Sequence, residues 1–136
     1  MLISTKGRYA LRVMLELAKY PRGEYVPLMV VAESQGISEK YLESILASLS
    51  KSGYVDGLRG KGGGYRLNRE PKEYTVGGIL RIVEGSIAPV ACLSDDNAQK
   101  CSRSVCCPTL PIWEHLGQLI DDYLDSVTLA DIGSAV

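Results

Sequence analysis

The sequence predicts a mainly α protein with a small β-hairpin wing: a winged helix-turn-helix followed by a long C-terminal dimerisation helix. Three observations carry that prediction. Two amphipathic segments of helical period meet at Gly36, which is the form of a helix-turn-helix. A glycine-rich turn, Arg59-Gly60-Lys61-Gly62-Gly63-Gly64, then separates two short strand-like runs. Finally, Trp113, Leu116, Ile120, Tyr123 and Val127 recur at alternating spacings of three and four, as in a coiled-coil seam.

Each element follows from its local residues. Thr5 is the expected cap of a first helix whose apolar positions are Tyr9, Ala10, Val13, Met14 and Leu17, ending near Pro21 and Gly23. Pro27 starts a short second helix with Leu28, Val31 and Ala32 inward, stopped by Gly36. Ser38 caps a third. Its Leu42, Ile45, Leu46 and Leu49 form a buried stripe, which turns Glu39, Lys40, Glu43, Ser44 and Lys51 outward, and Gly53 closes it. Tyr54 to Leu58 and Tyr65 to Leu67 are the strands of the hairpin. Thr75 caps a further helix that buries Ile79, Leu80, Ile82 and Val83 and ends at Gly85, and the long helix begins near Pro111. The organisation expected is residues 1–85 as the DNA-binding unit, 86–110 as a cysteine-bearing loop, and 111–136 as the dimerisation helix and tail.

Composition narrows the function. With 136 residues, 46% of them hydrophobic, the chain is one globular domain able to bury a core without disulfide staples. The longest apolar run, Val26 to Ala32, is far below the ~18 residues of a membrane span, and polar residues from Ser4 onward leave no room for a signal peptide. A cytoplasmic protein with reduced thiols is expected. The net charge of −1 conceals a polarity: residues 1–69 carry eleven Lys and Arg against six Asp and Glu, whereas residues 70–136 carry four against ten. A basic half suits a polyanion and an acidic half a separate regulatory part. The glycines around Lys61 are not a phosphate loop, because no Ser or Thr follows a Gly-Lys pair and no helix follows the turn. Arg59, Lys61, Arg66 and Arg69 supply charge in a stretch from Gly57 to Arg69 without an acidic residue. No acid–base constellation surrounds the lone histidine and no nucleotide fingerprint is present, so an enzyme with a small-molecule substrate is not expected.

Cys92, Cys101, Cys106 and Cys107 fall within sixteen residues, alongside Asp95, Asp96, Asn97 and Gln99. Buried thiols, a structural zinc, a disulfide and an iron–sulfur cluster are the available explanations. Paired Cys-x-x-Cys knuckles are absent and a reducing compartment disfavours disulfides, but thiolates on a loop suit the soft iron of a cluster. Spacing alone leaves cluster and zinc level.

Leu2 to Ala10 (LISTKGRYA), Gly36 to Leu42 (GISEKYL), Arg59 to Tyr65 (RGKGGGY), Thr75-Val76-Gly77, three spaced cysteines and Trp113 together resemble the IscR-type branch of the Rrf-type winged-helix repressors, whose relatives include NsrR-type and CymR-type regulators. The likeness covers nearly the whole chain. It implies a homodimeric transcriptional repressor of iron–sulfur assembly or related iron and redox genes, carrying an iron–sulfur cluster, typically 2Fe-2S, on three loop cysteines and a further ligand. Carried onto this chain the cysteines are Cys92, Cys101 and Cys107, the last because it lies six residues before Trp113. Two positions depart from the pattern: Leu110 stands where cluster-assembly regulators place a histidine, and Arg8 stands where nitric-oxide sensors place an acidic residue. Cys106 and His115 are the candidates for a fourth or substitute ligand, with Glu114 or a solvent or partner-subunit group as alternatives.

The expected partner is double-stranded DNA with an approximately palindromic operator. Lys6, Arg8, Arg59 and Lys61 are expected at phosphates or the minor groove, and Glu43 and Ser44 at base edges, with Ser38, Lys40 and Tyr41 completing the contact set. Trp113, Leu116, Ile120, Tyr123 and Val127 form the expected dimer seam. The alternative function is a regulator of the same fold that senses cysteine supply or oxidants through thiols or a partner protein, without a cluster.

Overall fold

The computed structural model describes residues 3–93 and 107–134. Among them the chain forms α1 (Thr5–Ala18), α2 (Leu28–Gln35), α3 (Glu39–Lys51), β1 (Val55–Leu58), β2 (Gly64–Leu67), α4 (Val76–Glu84), α5 (Leu110–Ser126) and α6 (Leu129–Ser134), with 3-10 turns at Pro71–Glu73 and Ala91–Leu93. Three helices followed by an antiparallel hairpin make the winged helix expected from the sequence.

The cap of α1 is Ser4 rather than Thr5. Both have the right chemistry, but Ser4 holds the extended backbone of a cap (φ −70°, ψ 166°) and its hydroxyl accepts from the Gly7 N–H at 3.1 Å. Thr5 is the first helical residue, and its hydroxyl accepts from Arg8. At the other end of the helix pair, Gly36 takes φ 66° and returns its N–H to the Ala32 carbonyl, a left-handed stop that strains any side chain. Ser38 then caps α3 by accepting from the Tyr41 N–H at 3.2 Å. Leu42, Ile45, Leu46 and Leu49 are fully buried, each contributing about 1.5–3 kcal/mol of apolar burial.

The hairpin pairs Val55 with Leu67 through to Leu58 with Gly64. It is also fastened on its other edge, because Val26 and Tyr65 exchange N–H···O bonds of 2.8 and 2.9 Å. Gly64 makes this possible: at φ 146° a Cβ would collide with the Val26 carbonyl. The wing is therefore tied to the segment that leads into α2.

Thr75 caps α4 by accepting from the Gly78 N–H at 2.9 Å. Ile79 and Leu80 are buried as expected, whereas Ile82 and Val83 are only half-buried at its periphery. The main core joins α1–α3, Val26, Val55, Leu67, Tyr74 and Ile79. Leu129 belongs to this core too, because the chain returns after α5: the Val76 N–H donates to Val127 and the Leu129 N–H to Tyr74. A second cluster of Val76, Leu80 and Ile87 collects Ile3, Leu11, Ile120, Leu124, Val127 and Ile132 around α4.

The predicted α5 seam is divided. Ile120 and Val127 pack into the second cluster of their own chain, and Val127 lies in extended backbone just beyond the helix rather than on it. Trp113 is half-buried, while Leu116 and Tyr123 are exposed. The outward row is Ile112, Leu116, Leu119 and Tyr123, exposed by 59, 39, 54 and 67%. Spacings of four, three and four place these residues on one face.

Candidate nucleic-acid interface and cysteine site

Lys40, Glu43 and Ser44 lie at i, i+3 and i+4 on the exposed side of α3, opposite its buried leucines. The geometry lets these short and medium side chains reach outward from a rigid helix. Ser38 precedes them as the cap. Tyr41 differs: it is half-buried, its ring edge-on to Tyr9 at 5.9 Å and 80°, and Arg12 lies 5.0 Å from the Tyr9 centroid. This stack fixes α3 against α1.

Arg59 and Lys61 are exposed at the wing tip, and Arg8 is exposed with Lys6 half-buried in the first turn of α1. Arg66 and Arg69, expected to add charge to the wing, are held in its base instead. Arg66 reaches Asp56 at 3.4 Å and the Gly23 carbonyl at 3.0 Å, over the ring of Tyr25. Arg69 lies over Tyr54 and Tyr74. Arg66 neutralises Asp56, its partner in the antiparallel register, and Arg69 braces the rings beyond the end of β2 and reaches the Gly53 carbonyl at 3.4 Å. Tyr74 locks the same base: its hydroxyl accepts from the Asn68 N–H at 3.0 Å and donates to the Tyr54 carbonyl at 2.8 Å, while burial pushes its phenol up.

Two polar joints escaped the sequence reading. Glu16 is 5% exposed on the inner side of α1, where its carboxylate accepts from Ser34 at 2.8 Å and Gln35 at 3.2 Å and pairs with Lys19. Burial works to raise its carboxyl, but those hydrogen bonds and the Lys19 charge outweigh it and hold the group below its ordinary range. Arg12 adds bonds to the Gln35 side chain and carbonyl, so α1 grips α2 next to the Gly36 turn. An acidic residue between Val13 and Leu17 on a buried stripe was the available signal. The second joint is Arg81 of α4, which grips both Asp125 oxygens at 2.7 and 3.1 Å and Asp121 at 2.9 Å on α5. The bonds to Asp125, more than burial opposes, strengthen its hold on the proton. Asp121 and Asp125, one helical turn apart, were its sequence trace.

Of the candidate ligands, Cys92 and Cys107 are described and are free thiols, both half-buried. Cys101 and Cys106 lie outside the described residues, as do Asp95, Asp96, Asn97 and Gln99. Cys92 stands in the 3-10 turn that packs against α5, where Leu93 comes near Gly117. Cys107 stands just ahead of α5; the Thr109 hydroxyl 3.2 Å from its Sγ, with the N–H groups of Thr109 and Leu110, holds the thiol below its ordinary range. Cys92 lies in a turn against α5 near Gly117 and Cys107 just ahead of the first residue of that helix; free thiols, one of them eased toward thiolate, have the soft donor chemistry an iron–sulfur group requires. His115 and Glu114 are exposed on α5, and Leu110 offers no donor. Among the described residues no group of three or more His, Cys, Asp or Glu converges.

The Rrf2 family profile, described as an iron-dependent transcriptional regulator, matches residues 3–135. Among curated proteins, the chain is 39% identical over 134 residues to the HTH-type transcriptional regulator CymR of Bacillus subtilis, covering 98% of this chain and 91% of that protein. It is 37% identical over 132 residues to the HTH-type transcriptional regulator IscR of Aliivibrio salmonicida, covering 97% of this chain and 77% of that one. The solved structure of B. subtilis CymR, described as the global cysteine regulator, aligns with a TM-score of 0.77 at 38% identity over 100% of this chain and 98% of that one. The structure of T. potens IscR aligns with a TM-score of 0.73 at 39% identity over 97% of this chain and 85% of that one.

Proposed function

The chain belongs to the Rrf2 family of transcriptional regulators, and from that premise we propose that it is a dimeric, cytoplasmic repressor whose DNA binding is set by an iron–sulfur cluster. The observation that carries this reading is that Cys92 and Cys107 are free thiols next to α5 on either side of residues 94–106, in a chain whose relatives are named as regulators. Cys92, Cys101 and Cys107 hold the cluster, taken as 2Fe-2S from the family resemblance, with Cys106 or His115 as the fourth ligand. A bound cluster supplies a group whose assembly and loss follow iron, sulfide and oxidant supply.

The chain's own residues do the rest. Arg59 and Lys61 at the wing and Lys6 and Arg8 at α1 take phosphates or the minor groove, displacing counterions. Ser38, Lys40, Glu43 and Ser44 face the base edges from α3, while Tyr41 holds that helix in place. The exposed row of Ile112, Leu116, Leu119 and Tyr123 meets its copy across a two-fold axis, which sets two recognition helices about 34–36 Å apart on an operator of matching symmetry.

The test is visible spectroscopy after anaerobic reconstitution. Cys92→Ala, Cys101→Ala and Cys107→Ala lose the colour and Cys106→Ala keeps it, which leaves His115 as the fourth ligand; loss in Cys106→Ala with retention in Cys107→Ala overturns the ligand choice. A second reading is favoured by the similarity to CymR, named as a global cysteine regulator, and by Leu110 in place of the family histidine. In that reading the thiols or a partner protein sense cysteine supply or oxidants directly. A wild-type protein that stays colourless, with DNA binding that follows thiol state, selects it.

A further inference from the structure

The N-terminus of α1 is closed by a capping box whose two halves come from different helices. Ser4 supplies the first half, its hydroxyl accepting from the Gly7 N–H at the third helical position. The second half, a carboxylate accepting from the cap residue's own N–H, belongs in such a box to the side chain at that third position, which here is a glycine. Glu84, the last residue of α4, fills the role: its Oε1 accepts from the Ser4 N–H at 3.0 Å and from the Ser4 hydroxyl at 2.5 Å. The missing side chain of Gly7 is what admits it, since a Cβ there would collide with Glu84 Oε1. The carboxylate also faces the positive end of the α1 dipole.

Two neighbours give this arrangement its consequence. Lys6 and Arg8 flank Gly7 in the capped turn, so its order sets where two of the proposed phosphate contacts stand. Gly85 follows Glu84 directly and opens the segment that runs through buried Ile87 to Cys92, where Leu93 approaches Gly117 of α5. One connecting segment thus joins Cys92 to the end of α4 that carries the cap. We infer that Glu84 is a positioning residue linking occupancy of the cysteine loop to the phosphate-contacting turn of α1. This rests on the cluster reading above.

The experiment uses the full chain in cluster-loaded and cluster-free forms, titrated against one operator duplex by fluorescence anisotropy, with hydrogen exchange of the residue 5–8 amides as a second readout. In the wild type the two forms differ in affinity by about five-fold or more, the usual span of such coupling, and in first-turn exchange. Glu84→Ala brings the affinity ratio to about one and makes exchange the same in both forms. Glu84→Gln restores the difference, because its amide oxygen still accepts from Ser4. Gly7→Ala is the second variant: it favours the helix while expelling the carboxylate, an effect on α1 stability opposite in sign to Glu84→Ala, and it also abolishes the ratio. A coloured Glu84→Ala or Gly7→Ala protein that keeps the wild-type ratio overturns the link alone. A wild type that stays colourless after reconstitution overturns the cluster reading and the link with it.

Discussion

Glu43 and Lys61 are both exposed and polar, yet their places in the fold suit them to different work. Glu43 projects from a helix that a buried leucine row and the Tyr9–Tyr41 stack hold in place, so in the proposed complex it bears on base identity. Lys61 sits on a wing turn and contributes charge. Glu43→Ala is therefore expected to change discrimination among operator variants by ~1–3 kcal/mol, of either sign, because a carboxylate accepts from cytosine N4 or repels a wrong base. Lys61→Ala is expected to reduce the log–log salt slope by ~0.9 with relative operator affinities unchanged. Competition titrations at several salt concentrations separate the two, and an unchanged ranking in Glu43→Ala contradicts the specificity role. Glu16 yields a pH prediction. Its folded carboxyl lies below the ordinary value of 4.5, so the stability it contributes is present above that value and is lost as pH falls through the lowered one. Acid unfolding of Glu16→Gln lacks this component and starts from lower stability at neutral pH; identical acid limbs in the two proteins contradict the clamp.

At the scale of elements, α2, α3, α4 and the hairpin were legible because each carries its own punctuation: Gly36, Ser38, Thr75 and the glycine turn act locally, and a helical stripe of leucines has one way to face a core. What sequence could not supply was tertiary choice. Ser4 and Thr5 are equivalent caps until backbone angles distinguish them. The Val26–Tyr65 bridge and the return of Leu129 to Tyr74 join residues far apart in the chain and leave no periodic trace. The apolar row of α5 was visible, but alternating spacing does not say which residues face the chain's own α4. Arg81 on Asp121 and Asp125 settles that by turning Ile120 and Leu124 toward the second cluster and Leu116, Leu119 and Tyr123 away. It follows that Ile120→Glu lowers thermal stability by burying an unpaired charge, whereas Leu119→Glu leaves the fold intact and shifts sedimentation from dimer to monomer. A folded Leu119→Glu dimer contradicts the proposed interface.

Taken as a whole molecule, the chain joins a basic reading head to an acidic C-terminal half through α4, which packs on α1, is pinned to α5 by Arg81 and ends at the entrance of the cysteine loop. No helix among the described residues is long and apolar enough to cross a membrane. Four cysteines within sixteen residues were the sharpest chemical signal in the sequence, but spacing does not distinguish metals, and only the family resemblance separated Cys107 from Cys106. Cys92 and Cys107 stand next to α5 on either side of residues 94–106, and in the proposed reading a shared ligand set would fix the basic half and α5 relative to each other. An effector of this kind acts only through its different affinity for two arrangements of the halves. The most direct test is titration of one symmetric operator with the cluster-loaded and cluster-free wild-type protein under anaerobic conditions: control by a cluster makes the affinities differ by about 5 to 150-fold, and equal binding on every operator tested would rule that control out.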